Sequence, residues 1–143
     1  MFIILANTIE NMLKRKLIII GASGHAKVVL DIFEKLNDRE VIGFIDNQKE
    51  AGTQFLDYPI LGNEEVLAQY NPTETELIIA IGDNWIRQEV TKRVNEKYPE
   101  FSFATGIHPS AQIGKAVKIG AGSVVMAGAV INSCCQIGAG CIV

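Results

Sequence analysis

The chain has 143 residues, 13 of them Lys or Arg and 16 Asp or Glu, for a formal net charge of −3. Apolar residues make up 48% and charged residues 20%, a globular composition that argues against disorder. It offers neither a basic excess for binding nucleic acid nor a run of about 18 apolar residues for a membrane span. The charges are unevenly placed. Every acidic residue lies at or before Glu100, and after it the formal charges are Lys115 and Lys118 alone, so the sequence predicts two architectures joined near Gly106.

Residues 1–15 read as a leader or N-terminal extension. Phe2 to Ala6 is apolar but follows no positive residue and is too short for a signal-peptide core. Without an export signal the expectation is a cytoplasmic chain with reduced thiols. Residues 16–106 then alternate strand and helix. Lys16 to Ile20 is a β-branched run ending at Gly21, a buried parallel strand. Ser23 or Gly24 opens a helix with Val28, Val29, Ile32, Phe33 and Leu36 at helical spacing. Val41 to Ile45 is a second strand closing at Asp46, followed by a polar loop from Asn47 to Thr53. Residues 58–62 are extended or turning, since Pro59 and Gly62 punctuate them. Asn63 caps a short helix to about Gln69. Leu77 to Ile81 is a third strand ending at Gly82, Asp83 or Asn84 caps a helix to about Tyr98, and Phe101 to Ala104 is a further strand. The alternation predicts an α/β fold, a Rossmann-like parallel sheet flanked by helices.

Residues 107–143 follow another period. Ile113, Ile119, Val125, Ile131, Ile137 and Val143 fall six residues apart. Two residues before each stands a small or short side chain: Ala111, Val117, Ser123, Ala129, Cys135 and Cys141. A helix cannot keep a six-residue repeat on one face. The repeat predicts a parallel β-helix, each hexad giving one short strand and a tight turn, the large aliphatic pointing to the axis. Cys134, Cys135 and Cys141 have neither CxxC spacing nor histidines at zinc-site spacing, so they read as small fillers and no metal site is predicted.

Gly21-Ala-Ser-Gly-His25 lies at the first strand–helix junction, where open α/β sheets bind ligands. Glycines let the backbone approach closely, and free N–H groups at a helix start favour an anion such as phosphate. The spacing is neither Gly-x-Gly-x-x-Gly nor a Walker loop, which counts against an NAD-dependent oxidoreductase. A tight turn without ligand is the plainer alternative. Asp46 stands where an acid accepts from a ribose hydroxyl, or where a carboxylate caps its own loop. Gly82 and Asn84 repeat the strand–Gly–helix pattern at the third junction. Arg87, one turn on, could pair with a phosphate or carboxylate or be an ordinary exposed helical arginine. His25 could hydrogen-bond a ligand or be a packed polar residue.

Taken together, Leu17-Ile-Ile-Ile-Gly-Ala-Ser-Gly-His25, Gly43-Phe-Ile-Asp46, Ala80-Ile-Gly-Asp-Asn84 with Ile86-Arg87, Ile107-His-Pro-Ser-Ala111 and the hexads resemble the bacterial sugar acyltransferases of the sialic acid O-acetyltransferase type, a group that includes nucleotide-linked amino-sugar N-acetyltransferases. The resemblance covers about Lys16 to Val143. It implies a Rossmann-like domain holding a sugar or nucleotide-sugar, and a left-handed parallel β-helix that forms a homotrimer and binds acetyl-CoA as acyl donor. It places Gly21, Ala22, Ser23, Gly24 and His25 against phosphates and sugar, Asp46 near the nucleoside, and Gly82, Asn84 and Arg87 along the same cleft.

One departure stands out against that resemblance. Members of the group present a catalytic histidine, usually beside an acid, on a later coil. Here the last histidine is His108, which reads as the turn leading into the β-helix, and no acid follows Glu100. No catalytic residue is therefore expected within this chain; the base is expected downstream of Val143. The coils from Ile113 supply fewer than two turns, short of the three or so stacked repeats a solenoid needs, so the chain reads as one cut short and prone to associate. The leading expectation is the substrate domain and first coils of an acetyl-CoA-dependent sugar acyltransferase; the rival is a non-catalytic nucleotide- or sugar-binding module.

Overall fold

The structure, a computed structural model, describes Met1 and residues 14–143. The predicted leader lies outside the described residues apart from Met1, Lys14 and Arg15, and Arg15 already begins the first strand. Six strands build one sheet: β1 (Arg15–Ile20), β2 (Arg39–Ile45), β3 (Gln54–Phe55), β4 (Tyr58–Gly62), β5 (Thr75–Ile79) and β6 (Ser102–Phe103). Their order is β3-β4-β2-β1-β5-β6. All neighbours are parallel except β3 and β4, whose antiparallel pair Gln54↔Pro59 and Phe55↔Tyr58 makes a small hairpin at the edge. That hairpin is absent from the sequence prediction, because two residues carry no periodicity. Helix α1 (Gly24–Leu36) and helix α2 (Asn84–Lys97) follow β1 and β5, and residues 64–69 form a 3₁₀ helix rather than an α-helix. The third strand starts and ends two residues earlier than its apolar run suggests.

Both faces of the sheet are covered, which is why its strands read as unbroken apolar runs rather than alternating ones. Leu17 and Ile19 point to the α1 side and pack with Ala26, Val29, Ile32, Phe33 and Phe44. Ile18 and Ile20 point the other way, to Ile45, Leu67, Val90, Val94, Tyr98 and Phe101. Each fully buried aliphatic of this kind contributes about 1.5–3 kcal/mol. Val28, predicted to join that core, is exposed; it sits one position off the stripe that Val29, Ile32 and Phe33 form, and Ala26 and Leu30 take its place. The β1–β2 register skips Ile42, pairing Leu17 with Val41 and Ile18 with Gly43. Gly43 has φ +153°, and a Cβ there would fall 2.6 Å from the Pro59 carbonyl oxygen, so this bulge requires glycine.

Beyond Ala104 the chain forms two-residue strands at six-residue spacing: β7 (Gly106–Ile107), β8 (Gln112–Ile113), β9 (Lys118–Ile119), β10 (Val124–Val125), β11 (Val130–Ile131) and β12 (Gln136–Ile137). The first three pair in parallel with the strand eighteen residues on: Gly106↔Val124, Gln112↔Val130 and Lys118↔Gln136, with Val124 bridging in turn to Ile142. This is the start of a β-helix, three strands to a turn. It opens at Gly106, one hexad before the Ile113 at which the repeat is first evident in sequence, so residues 106–141 complete two turns. The aliphatics fulfil their axial role unevenly. Val125 and Ile131 are buried, whereas Ile113 is 39% and Val143 37% exposed. Cys134 is exposed, in a left-handed turn conformation at φ 66°, and so fills no space; Cys135 and Cys141 are partly buried.

The two regions meet along the first strand face of the coils. Val124 joins the α1-side core of the sheet, and Gly106 packs against Phe33 and Ile32. A Cβ on Gly106 would lie 2.9 Å from Phe33 Cζ and 3.2 Å from Ile32 Cγ2. His108 is buried at the same junction. Its Nδ1 accepts the Ser110 backbone N–H at 3.0 Å and lies 2.7 Å from Ser110 Oγ.

Candidate functional site

The carboxyl ends of β1, β2 and β5 converge on a cleft of about 420 Å³. Its floor is Ile20, Gly21, Ile45 and Ile81; Ala22, Ser23 and Asp46 line one end. The Gly21 N–H donates to the Ile45 carbonyl at 2.8 Å, and Gly21 adopts φ +103°. A Cβ there would meet Ile81 Cγ1 at 3.0 Å and the Ala80 carbonyl oxygen at 3.1 Å, so only glycine seats this turn without strain.

Asp46 settles into the capping geometry. One carboxylate oxygen accepts the Ala22 N–H at 3.0 Å and the other the Gln48 N–H at 2.8 Å, tying the loop after β2 to the glycine turn. The two βα junctions carrying Gly then differ in kind. Ser23 occupies the N-cap of α1 with no side-chain cap bond, so the first N–H groups of that helix face outward without a partner from its cap. At α2 the Asp83 carboxylate accepts the Ile86 N–H at 2.9 Å. That end is capped and negatively charged, and it disfavours a second anion.

Arg87 is not the ordinary exposed helical arginine of the plainer expectation. It is 8% exposed, and its guanidinium donates to four oxygens: Nε to Gly140 O at 2.9 Å, Nη1 to Ile81 O at 3.0 Å and Gly82 O at 3.1 Å, and Nη2 to Asn84 Oδ1 at 2.6 Å. It bridges the third βα junction to the second coil turn, and it occupies the Asn84 side chain in doing so. Gly82, Asn84 and Arg87 are not among the residues that line the cleft. Asn84 and Arg87 instead line a second hollow of about 810 Å³ between α2 and the coil turns at Gly122 and Cys141. Gly24 and His25 begin α1 just beyond the cleft lining. His25 lies beside Gly82, where a Cβ would be 3.6 Å from its own Cβ. His25 Nε2 is buried without a hydrogen-bond partner. Burial, and secondarily the positive charge of Arg87, hold its imidazolium below the ordinary histidine range, so the ring is neutral at pH 7.

Several cleft residues were missed in sequence. Trp85, Ile86, Glu89, Val90 and Arg93 form one wall, and their spacing along α2 is that of a single helical face. Counting that face from Asp83 would have found them. Opposite stands Glu64, 9% exposed. Its carboxylate receives Arg93 through Nε at 2.9 Å and Nη2 at 2.5 Å, and Asn47 Nδ2 at 3.4 Å. The Arg93 hydrogen bonds lower the Glu64 pKa in spite of burial. The pair fastens α2 to the 3₁₀ helix at residues 64–69, and Asn47 ties that helix to the loop after β2. Among the described residues no group of His, Cys, Asp and Glu could hold a metal, and no helix is long and apolar enough to cross a membrane.

Comparison with known proteins agrees with this layout. The PglD N-terminal domain family matches residues 16–94. A UDP-N-acetylbacillosamine N-acetyltransferase of Bacillus subtilis (strain 168) is 32% identical over 112 residues, which is 76% of this chain and 50% of the relative. The acetyltransferase domain of PglB from Neisseria gonorrhoeae FA1090, solved in complex with acetyl coenzyme A, superimposes with a TM-score of 0.80 at 34% identity, covering 91% of this chain and 62% of that one. A mutant of perosamine N-acetyltransferase from Caulobacter crescentus, in complex with CoA and GDP-perosamine, gives a TM-score of 0.78 at 33% identity, covering 89% and 59%. The chain thus spans half the length of the curated relative it matches.

Proposed function

The chain belongs to the PglD N-terminal domain family, and from that premise we propose that it carries the sugar-nucleotide-binding half of an acetyl-CoA-dependent sugar N-acetyltransferase. The observation that carries this reading is the cleft at the carboxyl ends of β1, β2 and β5, with the uncapped start of α1 on one side and the wall of α2 on the other. A diphosphate fits the start of α1, whose first N–H groups have no partner from the Ser23 cap and favour an anion, whereas the Gly21 and Ala22 N–H groups are already taken by Ile45 and Asp46. Asp46 acts there as a positioning residue, holding Ala22 and Gln48 rather than the ligand.

His25, with a neutral imidazole whose buried Nε2 has no protein partner, lies beside Gly82 just beyond the cleft, close to the start of α1. His108 is a poor proton acceptor for the transfer, because it is buried and Ser110 already occupies its Nδ1. We therefore place no catalytic base on residues 106–143. Acetyl-CoA, when bound, supplies the activated acetyl group. The exposed Lys115 and Lys118 are the cationic side chains of the coils suited to its phosphates. A related enzyme of known structure was solved with CoA and GDP-perosamine, which supports the same pair here, and the family resemblance supports assembly as a homotrimer.

Calorimetric titration of the chain with UDP- and GDP-linked amino-sugars tests this reading. Saturable binding that is lost on Gly21→Val, with the fold retained by circular dichroism, is the expected result; absence of binding to either nucleotide would overturn it.

A further inference from the structure

We propose that Trp85 is the aromatic shelf on which the base of the bound nucleotide stacks, an inference that rests on the nucleotide-binding reading above. Trp85 is the sole tryptophan of the sequence, and it is 70% exposed on the wall of the cleft. Tryptophan at such exposure presents a large apolar face to water and characteristically marks a contact surface. Ile86 beside it is 52% exposed and lines the same wall, so the two extend one apolar ledge into the cleft.

The backbone that carries the ledge is anchored before anything binds. Asp83 receives the Ile86 N–H, and its carbonyl receives the Arg87 N–H at 2.9 Å. Arg87, which follows Ile86, is locked by its own carbonyl partners. Backbone anchored this way needs no ordering of its own when a ring lands on the ledge.

Position assigns the two halves of the ligand. Trp85 and Ile86 line the cleft from α2, and Gly21, Ala22 and Ser23 line it from the β1–α1 junction, where the first N–H groups of α1 have no partner from their cap. A phosphate is favoured at that helix start, and a neutral planar base is left to the apolar ledge. Stacking on an aromatic face is available to every base, so the shelf adds affinity without choosing between uracil and guanine.

Because Trp85 is the only indole, its fluorescence reports on the shelf directly. Titration of the wild-type chain with UDP and with GDP is expected to change Trp85 emission saturably, and inorganic pyrophosphate is expected to leave it unchanged. By calorimetry W85A should bind UDP about tenfold more weakly, within the range for loss of one base–aromatic stack, whereas W85F should stay within about threefold. Far-UV circular dichroism of both variants checks that the exposed substitution leaves the fold intact. Wild-type affinity for UDP in W85A overturns the proposal, and so does a shift in sedimentation of W85A with UDP affinity unchanged, which would assign the indole to a contact between copies of the chain. An emission change with pyrophosphate equal to that with UDP also overturns it. Failure of the wild-type chain to bind UDP or GDP at all overturns the nucleotide-binding reading itself.

Discussion

The sheet domain and the coils of this chain are held together by different means. Between Leu17 and Ala104 stability comes from side chains: two apolar layers on either face of a parallel sheet, with Phe33, Phe44, Ile18 and Leu77 fully buried. After Gly106 the buried apolar residues are Val124, Val125 and Ile131 alone, and cohesion passes to the backbone. Gly114 N–H reaches Ile131 O at 2.7 Å, Lys118 N–H reaches Cys135 O at 3.0 Å, and Val124 N–H reaches Cys141 O at 2.8 Å. The buried Ser123 hydroxyl fastens one turn, donating to Gly138 O and accepting from Cys141 N–H. A sheet domain of this kind tolerates an altered turn and fails with its core; a coil stack fails where two turns are forced apart.

Substitutions can separate these regimes. Phe33→Ala empties the centre of the α1-side core and should cost about 3–5 kcal/mol. Because Phe33 also touches Gly106, urea unfolding and hydrogen exchange should show both regions loosening together. Gly114→Ala acts on the coils alone. Its Cβ would fall 2.4 Å from Ser133 N and 2.7 Å from Asn132 C, backbone atoms that cannot rotate aside, so the cost should lie at the upper end of about 1–3 kcal/mol. Faster exchange confined to 106–143, with the sheet domain unaltered, is the expected pattern; uniform unfolding would erase the distinction.

Arg87→Met cuts the polar tie between the regions. It strips the Gly140, Ile81 and Gly82 carbonyls of a charged donor, worth about 2 kcal/mol, and should raise exchange at Gly140 to Ile142 more than anywhere in β1 or β5. Glu64→Gln should have the smallest effect, under about 1 kcal/mol, since its partner Arg93 is half exposed and screened. The Glu64 carboxyl titrates below its ordinary value of 4.5 when folded. Its stabilisation is therefore complete above that value and is lost as pH falls through the lowered one. Acid titration of thermal stability should be shallower below pH 4.5 in the variant.

What sequence reveals here depends on how a residue's role is encoded. The Leu17–Ile20 and Leu77–Ile79 runs and the six-residue spacing of Val125, Ile131 and Ile137 repeat their message, so the strands and coils were legible. Edge elements were not: the Gln54–Phe55 arm is too short to carry a pattern, and Gly106–Ile107 is the first rung of the coils but has no earlier hexad to compare with. At the cleft, glycine identity located the turn at Gly21, because φ +103° admits little else. Asp46 and Arg87 were ambiguous because a carboxylate or guanidinium serves a ligand and a backbone equally well, and only three-dimensional neighbours decide. Trp85, Glu89 and Arg93 lacked any local motif; they are related only by the pitch of α2.

The seating of Val124 and Gly106 on α1 also bears on the order in which the chain acquires structure. A free-standing solenoid can nucleate at any repeat and grow in either direction. Here the first rung rests on a helix face that the preceding residues have already built, with Phe33 filling the space the missing Gly106 side chain leaves. That contact fixes where the winding starts, and Val124 of the second turn seats on the same core, with Arg87 holding Gly140 beside it. The sheet domain thus serves the coils as a template that both turns touch.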